Sequence, residues 1–549
     1  MSRPMKATRI GGLMLALAAV MPAQVGTVQN AALFQPVNVF AIIEANPYAS
    51  LSAFLPGFSF GGANTIAPRM LAVLTYPSPE VILNGLPPSA PVIASLWIRP
   101  VGSTTATQLT VTNAVAGSIT FVVPANVPVG GAELLYQIAG QSTQWTSVNV
   151  VQSSFEFFRI SSGGPAIAQT VSAEGAASNV GLATPAQPGQ TLLLTGSGLG
   201  YGATVNATIG GVAVPVIYAG ALPAQVGRDE ILLQIPSAIP DGCYIPVRFT
   251  YNETTVTTTI SKTSDGSPCK HPWQLSLSDM KMLDSGGALT DGVVNLSTQI
   301  TAVTSTVASR NESATMSLGQ INSGGIAAYF TPVPTASGPS CMAPTPAVGF
   351  AAFNGAFSVL QPGPPNIGAS VTLQSPTTTI TLIGNGGYYS ASLPHPTDGA
   401  LNSLPPPEIA SGKWTWQSSG GKDLAASSFG FTLPAPIQLN GGAPISISRN
   451  QDQTFSWNGA AFDAGASVNL VLSGGTAPVI CTVSANTGTV TIPASLLSGY
   501  SANTIGTLTI NLNESGFFLP HVEFQLQNGS TLLMFVSFSS ADSRPVAFQ

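Results

Sequence analysis

The sequence predicts an all-β protein of tandem sandwiches, and three observations carry that expectation. Short runs alternate apolar and polar residues: Ala203, Val205, Ala207 and Ile209 share one face, as do Ile231, Leu233 and Ile235, then Cys243, Ile245, Val247 and Phe249. Alternation sends one side of a strand into a core and the other toward water. Glycine and proline, 57 and 45 of 549 residues, punctuate these runs as turns. The pattern also repeats. Pro124 to Gly130 (PANVPVG) echoes Pro236 to Gly242 (PSAIPDG), and the preceding Ile119, Phe121 and Val123 match Ile231, Leu233 and Ile235. After the echo, Ala132, Leu134, Tyr136 and Ile138 match Cys243, Ile245, Val247 and Phe249 with a one-residue slip at a glycine pair. A preserved inward face across such a slip implies two copies of one sandwich.

Composition bounds the rest. A chain of 549 residues is too long for one core. Only 7% of residues are charged, against about 25% in ordinary domains, while 44% are hydrophobic, a balance opposite to that of disorder. Net charge is −6 with scattered lysines and arginines, so nucleic acid is not an expected partner.

In chain order, residues 1–23 read as a secretory signal. Arg3, Lys6 and Arg9 precede the apolar run Ile10 to Met21, and Ala23 offers a small residue for cleavage. No later run is apolar enough for a membrane-spanning helix, so no transmembrane segment is expected in the mature chain. Residues 24–66 form an N-terminal segment, 67–159 a degenerate sandwich, 160–269 a second sandwich, 270–436 a β-rich domain and 437–549 a C-terminal sandwich. The last two divide at Leu433 to Pro436 (LPAP). Trp273 to Leu283 (WQLSLSDMKML) is the one expected helix.

Residues 160–270 resemble the uncharacterised acidobacterial secreted C-terminal domain, itself similar to the IPT/TIG branch of immunoglobulin-like folds. The matching pieces are Gly189 to Gly200 (GQTLLLTGSGLG), Thr208 to Gly227 (TIGGVAVPVIYAGALPAQVG) and Gln234 to Val247 (QIPSAIPDGCYIPV). Residues 67–155 resemble the same module more weakly. Ser411 to Pro436, Phe455 to Gly459 and Val479 to Leu497 resemble segments that follow it in such proteins. The resemblance implies tandem immunoglobulin-like sandwiches and no catalytic residues.

Four cysteines agree with export. Cys243 and Cys269 bracket the end of the second sandwich and are expected to pair; Cys341 and Cys481 either pair or stay free. With no CxxC and no Cys/His cluster, no metal or cofactor is expected. The loop Gly196 to Gly202 (GSGLGYG) lacks the helix that a dinucleotide loop needs and reads as a strand-to-strand turn. His271, His395 and His521 read as surface histidines, Asp279, Asp284 and Asp291 as solvated residues, and Asp229-Glu230 as a loop pair. None sits in a nucleophile, acid/base or calcium-loop context, so no enzyme is expected. Phe155 to Phe158 and Phe517-Phe518 read as core or interdomain packing.

Trp414 and Trp416 (KWTWQ) share one face at period 2. On an exposed strand they form a flat platform for sugar rings; otherwise they pack between sheets. The expected function is a secreted or cell-surface scaffold or adhesin, its partner a polysaccharide or another surface protein. The alternatives are a carbohydrate-binding accessory to polysaccharide degradation and, last, an outer-membrane β-barrel.

Overall fold

The computed structural model describes residues 27–30 and residues 65–549, apart from 76–90, 331–339, 343–363, 515–521 and scattered stretches of one to three residues. The signal segment, His395, His521 and Phe517-Phe518 lie outside the described residues. The fold is all-β, organised as tandem sandwich units.

The first two units share one pairing pattern, which is what the repeat implied. In the first, Leu71–Thr75 pairs with Ser118–Val122, while Gly130–Ile138 runs between Ala94–Pro100 and Thr146–Val150. In the second, Thr191–Ser197 pairs with Asp229–Gln234, while Gly242–Tyr251 runs between Val205–Ile209 and Thr254–Lys262. The repeated positions Ile119, Phe121, Ile231, Leu233, Val247 and Phe249 are all fully buried, each in its own unit's core. The described residues of the N-terminal segment belong to the first unit: Thr27–Asn30 and Thr65–Ile66 are strands of its two sheets.

Residues 270–549 do not divide at Pro436. One 15-stranded sheet crosses that boundary, because the C-terminal strand Thr531–Phe548 pairs in parallel with Ala288–Ala302 and antiparallel with Ile505–Glu514. The sheet wraps one core that contains Trp414 and Phe431 from one part and Val468 and Leu508 from the other. Three even-numbered residues of the C-terminal strand secure the crossing. Ser540 Oγ accepts from Ile437 N at 3.0 Å, Asp542 accepts from Leu439 N at 2.9 Å, and Arg544 donates to the Leu439 and Gly441 carbonyls. Arg544 and Asp542 are themselves paired through two contacts, at 2.7 and 3.1 Å, and both are buried. Alternation places these side chains on one face of the strand. There they act as a substitute ladder for the neighbouring backbone, and the Pro-rich stretch lies along the sheet instead of linking two domains.

The expected helix is shorter and later, Leu277–Asp284. Ser276 is its N-cap, its hydroxyl accepting from Asp279 N at 3.2 Å, so Trp273 to Leu275 precede the helix; they leave a turn in which Gln274 N donates to His271 O at 2.8 Å. A second helix, Ser323–Phe330, follows the long hairpin of Ala288–Ala302 and Ala308–Asn322. Asn322 and Ser161 accept from its first amides, at 3.0 and 3.1 Å.

Candidate functional site

The tryptophan pair is not a surface platform. Trp414 is 2% and Trp416 0% exposed, on the inward face of Gly412–Ser418. Trp416 stacks on Phe429 with ring centroids 5.2 Å apart and packs near Phe524 at 5.7 Å; Trp414 donates its indole N–H to Ala410 O at 2.8 Å. Inward alternation next to a phenylalanine strand, Phe429 and Phe431, decides this: the facing apolar surface exists, so the indoles bury. Either Trp→Ala substitution is expected to lower stability by about 3 to 5 kcal/mol, measured by denaturant unfolding. A loss below about 1 kcal/mol would contradict the packing.

Several polar residues read as solvated are buried instead, at the junction between the second unit and the long sheet. A β-bulge between Gly242 and Ile245 turns both Cys243 and Tyr244 out of their own sandwich into this junction, where they pack with Leu182, Trp273, Leu283 and Phe535. Cys243 is disulfide-bonded to Cys269, S–S 2.12 Å. His271 is buried, hydrogen-bonded through Nε2 to the Tyr244 hydroxyl at 2.9 Å, and its Nδ1 accepts from Trp273 N at 3.0 Å. Burial pushes the Tyr244 hydroxyl upward. Asp284 accepts from Leu182 N and Ala183 N at 2.7 and 2.8 Å, although desolvation still raises its pKa. The Cys243–Cys269 bridge closes a loop of sequence separation 26, worth about 3 to 4 kcal/mol in the chain-entropy model. Replacing both cysteines by serine is expected to lower the unfolding free energy by that amount; an unchanged denaturant midpoint would contradict it.

Cys341 and Cys481 are also bonded, joining neighbouring strands inside the long sheet rather than two domains. The glycine loop ending Thr191–Ser197 is closed to phosphate. The Asp229 carboxylate, buried in a strand rather than held in a loop, accepts from Leu199 N at 2.8 Å. Its pKa is raised, first by desolvation. An amide cradle filled by the protein's own carboxylate has no room for another anion. The small cavity between Ile160, Val180, Cys243 and Leu283 is of water size and holds no ligand-scale space.

What the described residues do present to solvent is the outward face of the long sheet. Where the inward positions read Leu, Val, Phe and Trp, the outward ones read Ser, Thr, Asn and Gln. Strand register sets them in rows. One runs Ser484, Ser467, then Ser539, Ser297 and Ser313; the next runs Thr482, Asn469, Asn511, Ala541, Gln299 and Asn311. Neighbours within the array bond each other: Ser297 and Ser313 at 2.7 Å, Thr482 to Asn469 at 2.8 Å, Thr509 and Ser543 at 3.0 Å. Outward, the strand that carries the two tryptophans displays Lys413, Thr415 and Gln417. The one sequence signal for this face was period-2 hydroxyl and amide residues opposite the apolar positions. Among the described residues no group of three or more His, Cys, Asp and Glu is placed to hold a metal ion, and no helix is long and apolar enough to cross a membrane.

No family model and no curated protein matches the chain. Among solved structures it is similar to SGBP-B of the Bacteroides ovatus mixed-linkage glucan utilization locus, solved with a mixed-linkage heptasaccharide. The identity is 12%, covering 82% of this chain and 94% of that one, with a TM-score of 0.15. It is also similar to a tetra-tandem repeat from the extending region of a large adhesion protein, 15% identical over 87% of this chain and 98% of that one, with a TM-score of 0.14. At those scores neither likeness bears on what this chain binds.

Proposed function

We propose that this chain is an exported, non-enzymatic scaffold or adhesive protein whose first two units are IPT/TIG-type immunoglobulin-like modules. The observation that carries the reading is the joint between the second unit and the long sheet. It combines a disulfide, a buried Tyr244–His271 hydrogen bond and the Asp284 clamp on Leu182 and Ala183. A joint of that kind holds successive units in fixed relation, which suits a load-bearing surface protein, and its disulfide suits an oxidising compartment. The barrel reading fits poorly: a bilayer-spanning barrel needs an apolar outer band, and the outward face here is hydroxyl and amide.

The test is N-terminal sequencing of protein recovered outside the cytoplasm, together with non-reducing peptide mapping. The expected result is cleavage near Ala23 and a linked Cys243–Cys269 peptide. Cytoplasmic protein with Met1 intact and free thiols would overturn the reading.

A further inference from the structure

The outward face of the long sheet has an unusual chemistry for a surface. Protein surfaces carry roughly 25 to 35% charged side chains when built for solubility. Beyond the helix-covered junction, where Asp291 and Glu523 lie, only Asp398 and Lys413 are charged among the described outward positions, on strands that do not neighbour each other. The remainder are mostly hydroxyl and carboxamide groups, each able to donate and accept. An anionic polymer, a phosphate-bearing membrane or a cationic partner finds no counter-charge there.

Within this face Ile505 is exposed as a lone apolar residue at a strand start, whereas Ile383 and Tyr388 form an aromatic–aliphatic pair. Ile383 is 72% and Tyr388 48% exposed. Ile383 is directly opposite Ser390 on the neighbouring strand, so Tyr388, two residues before it, is its diagonal neighbour at roughly 7 Å. Thr315, Ser317, Ser390 and Thr381 surround the pair in register. Adjacent strands are spaced about 4.8 Å apart and alternate residues about 6.8 Å, so hydroxyls recur around the ring on the scale of one sugar unit. The Gly387 turn, at φ +86°, starts the strand at Tyr388. Its Cβ would meet Pro364 at 2.5 Å, so the turn that positions the ring admits no larger residue.

We infer that this face binds an uncharged polysaccharide, with Tyr388 and Ile383 taking the C–H face of a sugar ring and the flanking Ser and Thr hydroxyls taking its hydroxyl groups. Charge selects the occupant: a neutral polyhydroxylated chain matches an uncharged donor-and-acceptor surface without leaving an ion unpaired. A flat aromatic–aliphatic contact supplies the apolar part of sugar binding. The inference deepens the adhesive reading by naming what the protein adheres to, and it uses residues outside the buried joint.

The test is affinity electrophoresis of the full mature chain through gels containing hydroxyethylcellulose, laminarin or soluble starch, with polygalacturonate as the anionic control. Retardation by at least one neutral glucan and none by polygalacturonate is expected. The double variant Ile383→Ser with Tyr388→Ser should weaken that retardation at least tenfold. Its melting temperature should shift by less than about 2 °C, since both side chains are surface groups. A second variant, Ser390→Glu, places a charge beside the ring and should weaken binding similarly. No retardation by any of the three glucans, equal retardation by polygalacturonate, or unchanged retardation of both variants would overturn the proposal. So would a concentration-dependent dimer in sedimentation velocity that the double variant abolishes, which would assign the face to a second copy. Such a failure leaves the export and disulfide results untouched, so it is distinguishable from failure of the scaffold reading.

Discussion

Replacing Asp291 by Asn is expected to stabilise the long sheet at neutral pH and to remove most of its stability change between pH 4 and 7. Asp291 is 0% exposed on the Ala288–Ala302 strand, and neither carboxylate oxygen has a hydrogen-bond partner among the described residues. It lies in register with Leu533 and, one strand further, Glu523, while Asp279 of the Leu277–Asp284 helix bonds Thr531 on the same face. Burial raises its pKa from 3.8 to about 7. The folded state therefore holds this proton more tightly than the unfolded chain. Its contribution is most favourable below about pH 4, falls as pH rises toward 7, and is level above that. That rise corresponds to roughly 4 kcal/mol at pH 8. Asparagine carries no charge to desolvate. Thermal melts should show Asp291→Asn roughly 10 °C above the parent at pH 8 and close to it at pH 4. Parallel pH profiles for the two proteins would refute the assignment.

The second large effect is expected at Arg544. Arg544→Ala leaves the buried Asp542 carboxylate without its cation and leaves the Leu439 and Gly441 carbonyls without a donor. Breaking one side of a buried pair costs about 3 to 5 kcal/mol, more than the pair contributes against a hydrophobic replacement. The unfolding midpoint of residues 270–549 in urea should fall accordingly, and the combined Asp542→Leu, Arg544→Met variant should recover much of the loss. If Arg544→Ala unfolds like the parent, the 437–442 segment is held by something other than this clasp.

Much of the architecture was legible in local pattern. Period-2 apolar runs at 119–123, 231–235 and 245–249 identify strands and their buried faces because side-chain direction in a regular strand depends only on parity; Cys243 departs because the bulge before Ile245 breaks that parity. The repeat was legible for the same reason, since both copies keep the same inward set apart from Ala132 and its counterpart Cys243. The Ser323–Phe330 helix was not: two of its first three residues are glycine, and caps from Asn322 and Ser161 outweigh that poor propensity.

Along the C-terminal strand, parity alone told which residues share a face. It did not tell what covers each face. Odd positions read Thr531, Leu533, Phe535, then Ser537 and Ser539, and the first three lie under the helix and second unit while the others meet solvent. Even positions run from Leu532 to Phe538 in the core and then reach the Asp542–Arg544 clasp. The same limit decided the tryptophans, the histidine and the aspartates. Sequence by itself determined the strands, their inward sides and the repeated module. Only tertiary structure decided which outward sides stay bare, because burial of a side chain depends on surfaces brought from hundreds of residues away.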